Sequence, residues 1–114
     1  MIDKFFDELL TRLNLATPDL GRLDAWPDAQ LTAMSEAGVL GWLIPQEFGG
    51  SDISPRELVV GYERLAAACL TSVFVLTQRN AAIQRLVRSP NVELKEPLLR
   101  ALIDDSIFAT VGIS

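Results

Sequence analysis

The sequence predicts an all-α fold, a bundle of about five helices followed by a single unpaired strand. Three observations predict it. Apolar residues recur at three- and four-residue intervals through most of the chain, and helix-starting patterns of Ser, Thr and Pro stand before several of those stretches. The last eight residues have no helical period and are rich in β-branched and aromatic side chains.

Ile2, Phe6, Leu9, Leu10 and Leu13 form an apolar stripe, with Asp3, Lys4, Asp7, Glu8 and Arg12 between them, so the first helix is amphipathic and ends before Pro18. Pro27 suits the first turn of a short second helix carrying Leu31, Met34 and Ala37. Gly38 can take the left-handed conformation that closes it. Residues 39–50 read as an apolar loop, because Pro45 disfavours helix and Gly49-Gly50 demands a turn. Ser54-Pro55-Arg56-Glu57 is a capping box with proline in the first turn. The third helix that follows points Leu58, Tyr62, Leu65, Ala66 and Cys69 at a core and Arg56, Glu57, Glu63 and Arg64 at water.

Thr71 or Ser72 is the expected cap of a fourth helix running to about Arg88, whose opening Val73-Phe74-Val75-Leu76 is apolar on every side and therefore predicts burial within protein. Thr77, Asn80 and Gln84 make one polar stripe on it, and two readings stand: hydrogen bonds to neighbouring elements, or the border of a ligand cavity. In the fifth helix, with Leu94, Leu98, Ala101 and Leu102, Pro97 sets the start no earlier than about Glu93 and Asp104-Asp105-Ser106 marks the end. Residues 107–114 then read as a strand. A strand without a ladder leaves its backbone groups unpaired, so truncation or completion by another chain is expected.

Composition narrows the chemistry. A net charge of −5 gives no basic surface for nucleic acid, and the interspersed charges form no polybasic membrane anchor. No run approaches the roughly 20 apolar residues of a membrane span, and the acidic amino terminus lacks a signal-peptide pattern, so a cytoplasmic protein is expected. His is absent and Cys69 is the sole cysteine, which removes imidazole-dependent catalysis, disulfides and cysteine metal clusters; Cys69 reads as a packed small residue. Neither GxGxxG nor a phosphate-loop pattern occurs, and Gly49-Gly50 reads as a turn. Acid pairs such as Asp7-Glu8 and Asp104-Asp105 read as solvated, and Trp26 and Trp42 as core or interface residues. Physical reasoning alone thus identifies no catalytic group and no metal site.

Specific words carry a resemblance. Leu31-Thr-Ala-Met-Ser-Glu-Ala-Gly-Val-Leu-Gly-Trp-Leu-Ile-Pro-Gln-Glu-Phe-Gly-Gly50 resembles the acyl-CoA dehydrogenase pattern in which a helix leads through a Gly-Leu or Gly-Trp step into Pro-x-Glu, then Tyr or Phe, then Gly-Gly. Glu63-Arg64-Leu65-Ala66 and the small-residue break Ala68-Cys69-Leu70-Thr71-Ser72 are similar to later words of the same family. The resemblance implies a helical amino-terminal domain at 1–106 and the start of a middle β domain at 107–114, with FAD in a cleft shared with that domain and a carboxy-terminal helical one. It implies that the fourth helix lines the acyl pocket through Phe74, Thr77, Gln78, Asn80 and Gln84, and that Thr110, Gly112 and Ser114 approach the flavin. Ser114 stands in for the family's threonine, and the strand lacks the Glu-Pro that follows there, a departure that points to an atypical or monooxygenase-like branch. The catalytic carboxylate belongs to the carboxy-terminal domain, so none is assigned here. Acyl-CoA as substrate and a homo-oligomer formed through the missing domains are further implications. The rival expectations are a flavin-dependent monooxygenase of the same fold and a free-standing helical interaction module.

Overall fold

The structure, a computed structural model, describes residues 4–16 and 26–110. Among them are the helices α1 (Lys4–Ala16), α2 (Asp28–Glu36), α3 (Pro55–Ala68), α4 (Leu70–Arg88) and α5 (Val92–Ile103), with short 3-10 turns at Val39–Gly41 and Gln46–Phe48. No strand occurs among the described residues, as the all-α expectation requires.

Helix α1 buries Phe6, Leu9 and Leu13, the predicted stripe, while Ile2 lies outside the described residues. Two exposed ion pairs tie α1 to its neighbours, Arg12 to Glu36 and Arg64 to Asp7, each at 2.8 Å. Surface pairs of this kind contribute about 0–1 kcal/mol each, so the apolar stripe holds the helix in place. Helix α2 begins directly after Pro27 and buries Leu31 and Met34. Gly38 follows at φ 81°, the left-handed turn the sequence predicts.

The apolar loop folds back on itself. Ser51, Asp52 and Ile53 donate backbone amides to the carbonyls of Gly41, Ile44 and Trp42, so its backbone is paired although it contains no strand. Gly49 sits at φ 92°, and a Cβ on Gly50 would run into the Ile44 carbonyl, which explains the paired glycines. The loop delivers Trp42 to the interior, beside Phe6 and close against Gly61 of α3.

The capping box at the start of α3 forms as predicted: Ser54 Oγ accepts from the Glu57 amide at 3.2 Å and Glu57 Oε1 accepts from the Ser54 amide at 3.5 Å. Leu65 and Cys69 are buried, and Cys69 is a packed small residue. The cap of α4 differs from the expectation. A single residue, Cys69, joins α3 to α4, so α4 starts at Leu70 and Thr71 and Ser72 fall inside its first turn. Ser72, fully buried, donates its hydroxyl to the Cys69 carbonyl instead of capping.

Helix α4 also departs from predicted all-round burial. Val73, Leu76 and Ile83 are interior, yet Phe74 is 67% exposed. In α5 the helix starts at Val92 under an Asn91 cap, so Pro97 lies inside it rather than in its first turn. The Asn91 side chain accepts from the Leu94 amide and stabilises the earlier start, and residues 90–94 are exposed, so water can hydrate the carbonyl that the proline leaves unpaired. The same geometry turns Leu94 outward and Leu98 to the surface, and the core side is Leu99 and Leu102. Of the predicted strand, residues 107–110 are irregular because no partner strand exists among the described residues, and 111–114 lie outside them.

Two apolar cores result. One gathers α1, α2, α3 and the first half of α4 around Leu13, Met34, Trp42, Leu65 and Leu76. The second joins Ile44, Ile83, Leu99 and Leu102. Arg79, with no exposed surface, stands on α4 between them and donates to the carbonyls of Leu40 at 2.7 Å and Leu102 at 2.8 Å.

Gly61→Ala tests the loop-to-helix fit. A Cβ there would come within 2.6 Å of the Trp42 ring. Overpacking costs typically about 1–3 kcal/mol and outweighs the gain of up to about 1 kcal/mol in helix propensity, so the urea midpoint should fall at unchanged slope. A midpoint equal to or above the wild type would mean that Trp42 is free to move aside.

Candidate functional site

The five residues expected along the acyl pocket do not share one environment. Leu70, Phe74, Gln78, Ala81 and Arg85 recur at four-, four-, three- and four-residue steps and form the outward face of α4, and Thr77 borders it. Phe74 is exposed on this face and Gln78 half-buried. The Thr77 hydroxyl donates to the Phe74 carbonyl of its own helix at 2.8 Å, so its polarity is satisfied locally. Gln84 is exposed.

Asn80 turns inward, to the seam between α3 and α4. Its Nδ2 donates to the Tyr62 hydroxyl at 2.6 Å, while its Oδ1 is buried without a partner among the described residues. Burial raises the Tyr62 phenol above its ordinary pKa, and the Asn80 hydrogen bond partly opposes this.

A well-formed concavity lies elsewhere. A groove of about 860 Å³ runs between α1, the end of α2 and the loop, with none of the five predicted residues in its wall. Its floor includes Phe6, Leu9 and Trp42, and its rim carries Glu8, Glu36, Asp52 and Glu57 against Arg12, already bonded to Glu36. Four carboxylates facing one committed guanidinium repel phosphate, so the groove does not suit a pyrophosphate-bearing cofactor or a coenzyme A nucleotide.

The chain beyond α5 is built differently. Asp104 and Asp105 donate amides back to Arg100 and Leu102, and Ser106 donates both its amide and its hydroxyl to the Ala101 carbonyl. Asp105 takes a left-handed φ of 59°. Phe108 then meets Trp26 edge to face at 5.5 Å, and Ala109 packs on the second core. Among the described residues no hydrogen bond engages the amides of 107–110, and Thr110 is exposed. Gly112 and Ser114 lie outside the described residues.

Sequence reasoning missed Arg79. A signal was present: its neighbours at three and four residues, Val75, Leu76, Ala82 and Ile83, are all apolar, so a charge stands on the buried stripe of the helix.

Residues 1–106 match a family model described as "Acyl-CoA dehydrogenase, N-terminal domain". The chain belongs to the acyl-CoA dehydrogenase family. Among curated proteins it is 30% identical over 84 residues to an acryloyl-CoA reductase (NADH) of Anaerotignum propionicum, a match that covers 74% of this chain. The chain spans 21% of that relative's length. No solved structure matches it significantly. In this acyl-CoA dehydrogenase domain the Pro45-Gln-Glu-Phe-Gly-Gly50 word has a structural task, holding the loop that carries Trp42 inward. No helix among the described residues is long and apolar enough to cross a membrane.

The α3–α4 seam can be probed through Tyr62, the single tyrosine of the chain. Tyrosinate absorbance should appear above the ordinary value of 10.0 in the folded protein, and Asn80→Ala should move it higher still. Folding raises this pKa, so the folded state holds the proton more tightly, and stability falls as pH climbs through the window above 10.0. A midpoint at the ordinary value would show the hydroxyl to be solvated.

Proposed function

We propose that this chain forms the helical wall of the substrate and flavin cleft in an FAD-dependent oxidoreductase of acyl-CoA dehydrogenase type, acting on the α,β bond of an acyl thioester. The observation that carries the reading is the family match over residues 1–106. It is supported by the outward face of α4, on which Phe74 is exposed. In this reading residues 1–106 are the helical domain and 107–114 lead into the β domain. Phe74, Thr77 and Gln78 line the acyl chain, with Asn80 and Gln84 at the edge of that surface, and Thr110, Gly112 and Ser114 approach the flavin. FAD supplies the hydride acceptor, and the groups on this chain bind, orient and exclude water. The carboxylate that exchanges the α proton comes from another part of the parent protein, as do the contacts that assemble an oligomer. The name of the Anaerotignum relative, a reductase of acryloyl-CoA, supports an acyl thioester as substrate and includes the reverse direction, saturation of the same bond.

The test is the visible spectrum of the natural full-length protein. A bound flavin that bleaches on addition of an acyl-CoA supports the proposal. Flavin that ignores acyl-CoAs but consumes oxygen when reduced points to a monooxygenase, and a folded, colourless protein that cannot be reconstituted with FAD leaves an interaction module.

Phe74→Ala separates binding from folding. At 67% exposure the change should leave stability within about 0.5 kcal/mol. In the full-length protein it should raise KM for an acyl-CoA roughly 10-fold or more by removing apolar contact. An unchanged KM would remove Phe74 from the pocket.

A further inference from the structure

Helix α4 is anchored on both sides of its buried stripe. Leu76 and Ile83, with no exposed surface, mark the inward line of the helix. Arg79 and Asn80 stand near the midpoint of α4, each three or four residues from both. As consecutive residues they leave the helix a little more than a quarter-turn apart, so they flank that line, one on each side. Arg79 reaches the Leu40 carbonyl of the 3-10 turn and the Leu102 carbonyl of α5, and Asn80 reaches the Tyr62 hydroxyl of α3. Apolar contacts along the stripe are non-directional and by themselves only weakly resist a roll of the helix about its axis. Hydrogen bonds to three elements, divided between the two flanks, oppose a roll in either sense. The face carrying Leu70, Phe74, Gln78 and Ala81 lies opposite, and a roll of about 20° would carry a side chain at the helix rim through about 2 Å.

We propose that Arg79 and Asn80 are positioning residues that fix the roll of α4 and thereby set which acyl-chain lengths its outward face accepts. Neither touches the acyl group. Arg79 acts through the carbonyls of Leu40 and Leu102 and Asn80 through Tyr62, while Phe74 and Gln78 make the contact. The inference rests on the acyl-pocket reading of α4 above and adds the source of its length selectivity. A wall held in one orientation rejects a chain that is too long, whereas a wall free to roll adapts to it.

The experiment uses the natural full-length protein and measures kcat/KM for its best straight-chain acyl-CoA and for a homologue several carbons longer. The readout is the ratio of the two. A destabilised variant loses active enzyme, but that loss cancels in the ratio. Arg79→Lys keeps the charge but cannot span two carbonyls with one planar fork, and Tyr62→Phe removes the hydroxyl that holds Asn80 while keeping the ring. Leu13→Ala, a cavity in the first core that leaves all three hydrogen bonds, controls for stability, and Phe74→Ala controls for the pocket itself. Arg79→Lys and Tyr62→Phe should each lower the discrimination by about 3-fold to 10-fold, while Leu13→Ala lowers the thermal midpoint at an unchanged ratio. An unchanged ratio in both anchor variants, with Phe74→Ala altering it, overturns the inference and leaves the acyl-pocket reading in place. An equal change in Leu13→Ala overturns the inference as well. Should Arg79→Lys not fold, Tyr62→Phe alone decides. A wild type that turns over no acyl-CoA, or a Phe74→Ala ratio equal to that of the wild type, overturns the pocket reading itself, and the inference with it.

Discussion

The fold depends on one buried cation. Arg79 stands where two apolar cores meet, and its two hydrogen bonds reach one carbonyl at the edge of each. Burial lowers its pKa to about 10, with the charge of Asp105 acting the other way, so the guanidinium remains charged at neutral pH. Taking such a charge out of water is costly, and its Nε has no partner among the described residues. The return is geometric. Apolar surfaces can slide over one another at little cost, whereas a planar fork on two carbonyls fixes α5 against the 3-10 turn at 39–41 in a single arrangement.

Much of the fold could be read from the sequence wherever local chemistry decides the outcome. The Ser54–Glu57 box, the left-handed Gly38 and the turn at Gly49-Gly50 each answer to backbone sterics and capping within a few residues, and each is present, while Pro27 stands one position before α2 rather than in its first turn. Tertiary constraints overrode the rest. The one-residue link at Cys69 placed Ser72 inside α4, and the Asn91 cap carried α5 past the point that Pro97 alone would set. Leu94 and Leu98 look like core residues on a helical wheel, yet the side that meets Ile44 and Ile83 carries Leu99 and Leu102.

The candidate site was legible in composition and less so in geometry. Thr77, Asn80 and Gln84 do share a side of α4, but periodicity cannot tell which polar group faces a neighbouring helix, and only Asn80 does. Arg79 was obscured by its type, since arginine on a helix is usually solvated, and only three-dimensional packing shows that it is enclosed. The molecule thus presents two unlike surfaces: an acid-rimmed groove unsuited to phosphate, and the α4 face with Phe74 exposed.

The junction between α3 and α4 has a further consequence. Cys69 donates its amide to Leu65 in the helix behind it and accepts through its carbonyl from Val73 in the helix ahead, so the two helices share one residue with no slack. An α-helix advances about 100° per residue, so one residue gained or lost at this joint would rotate every α4 side chain by that angle. Arg79 would leave the position between Leu40 and Leu102, and Asn80 would leave Tyr62. Chain length at this joint is therefore as restrictive as residue identity, and homologous domains that keep both contacts should align across it without a gap.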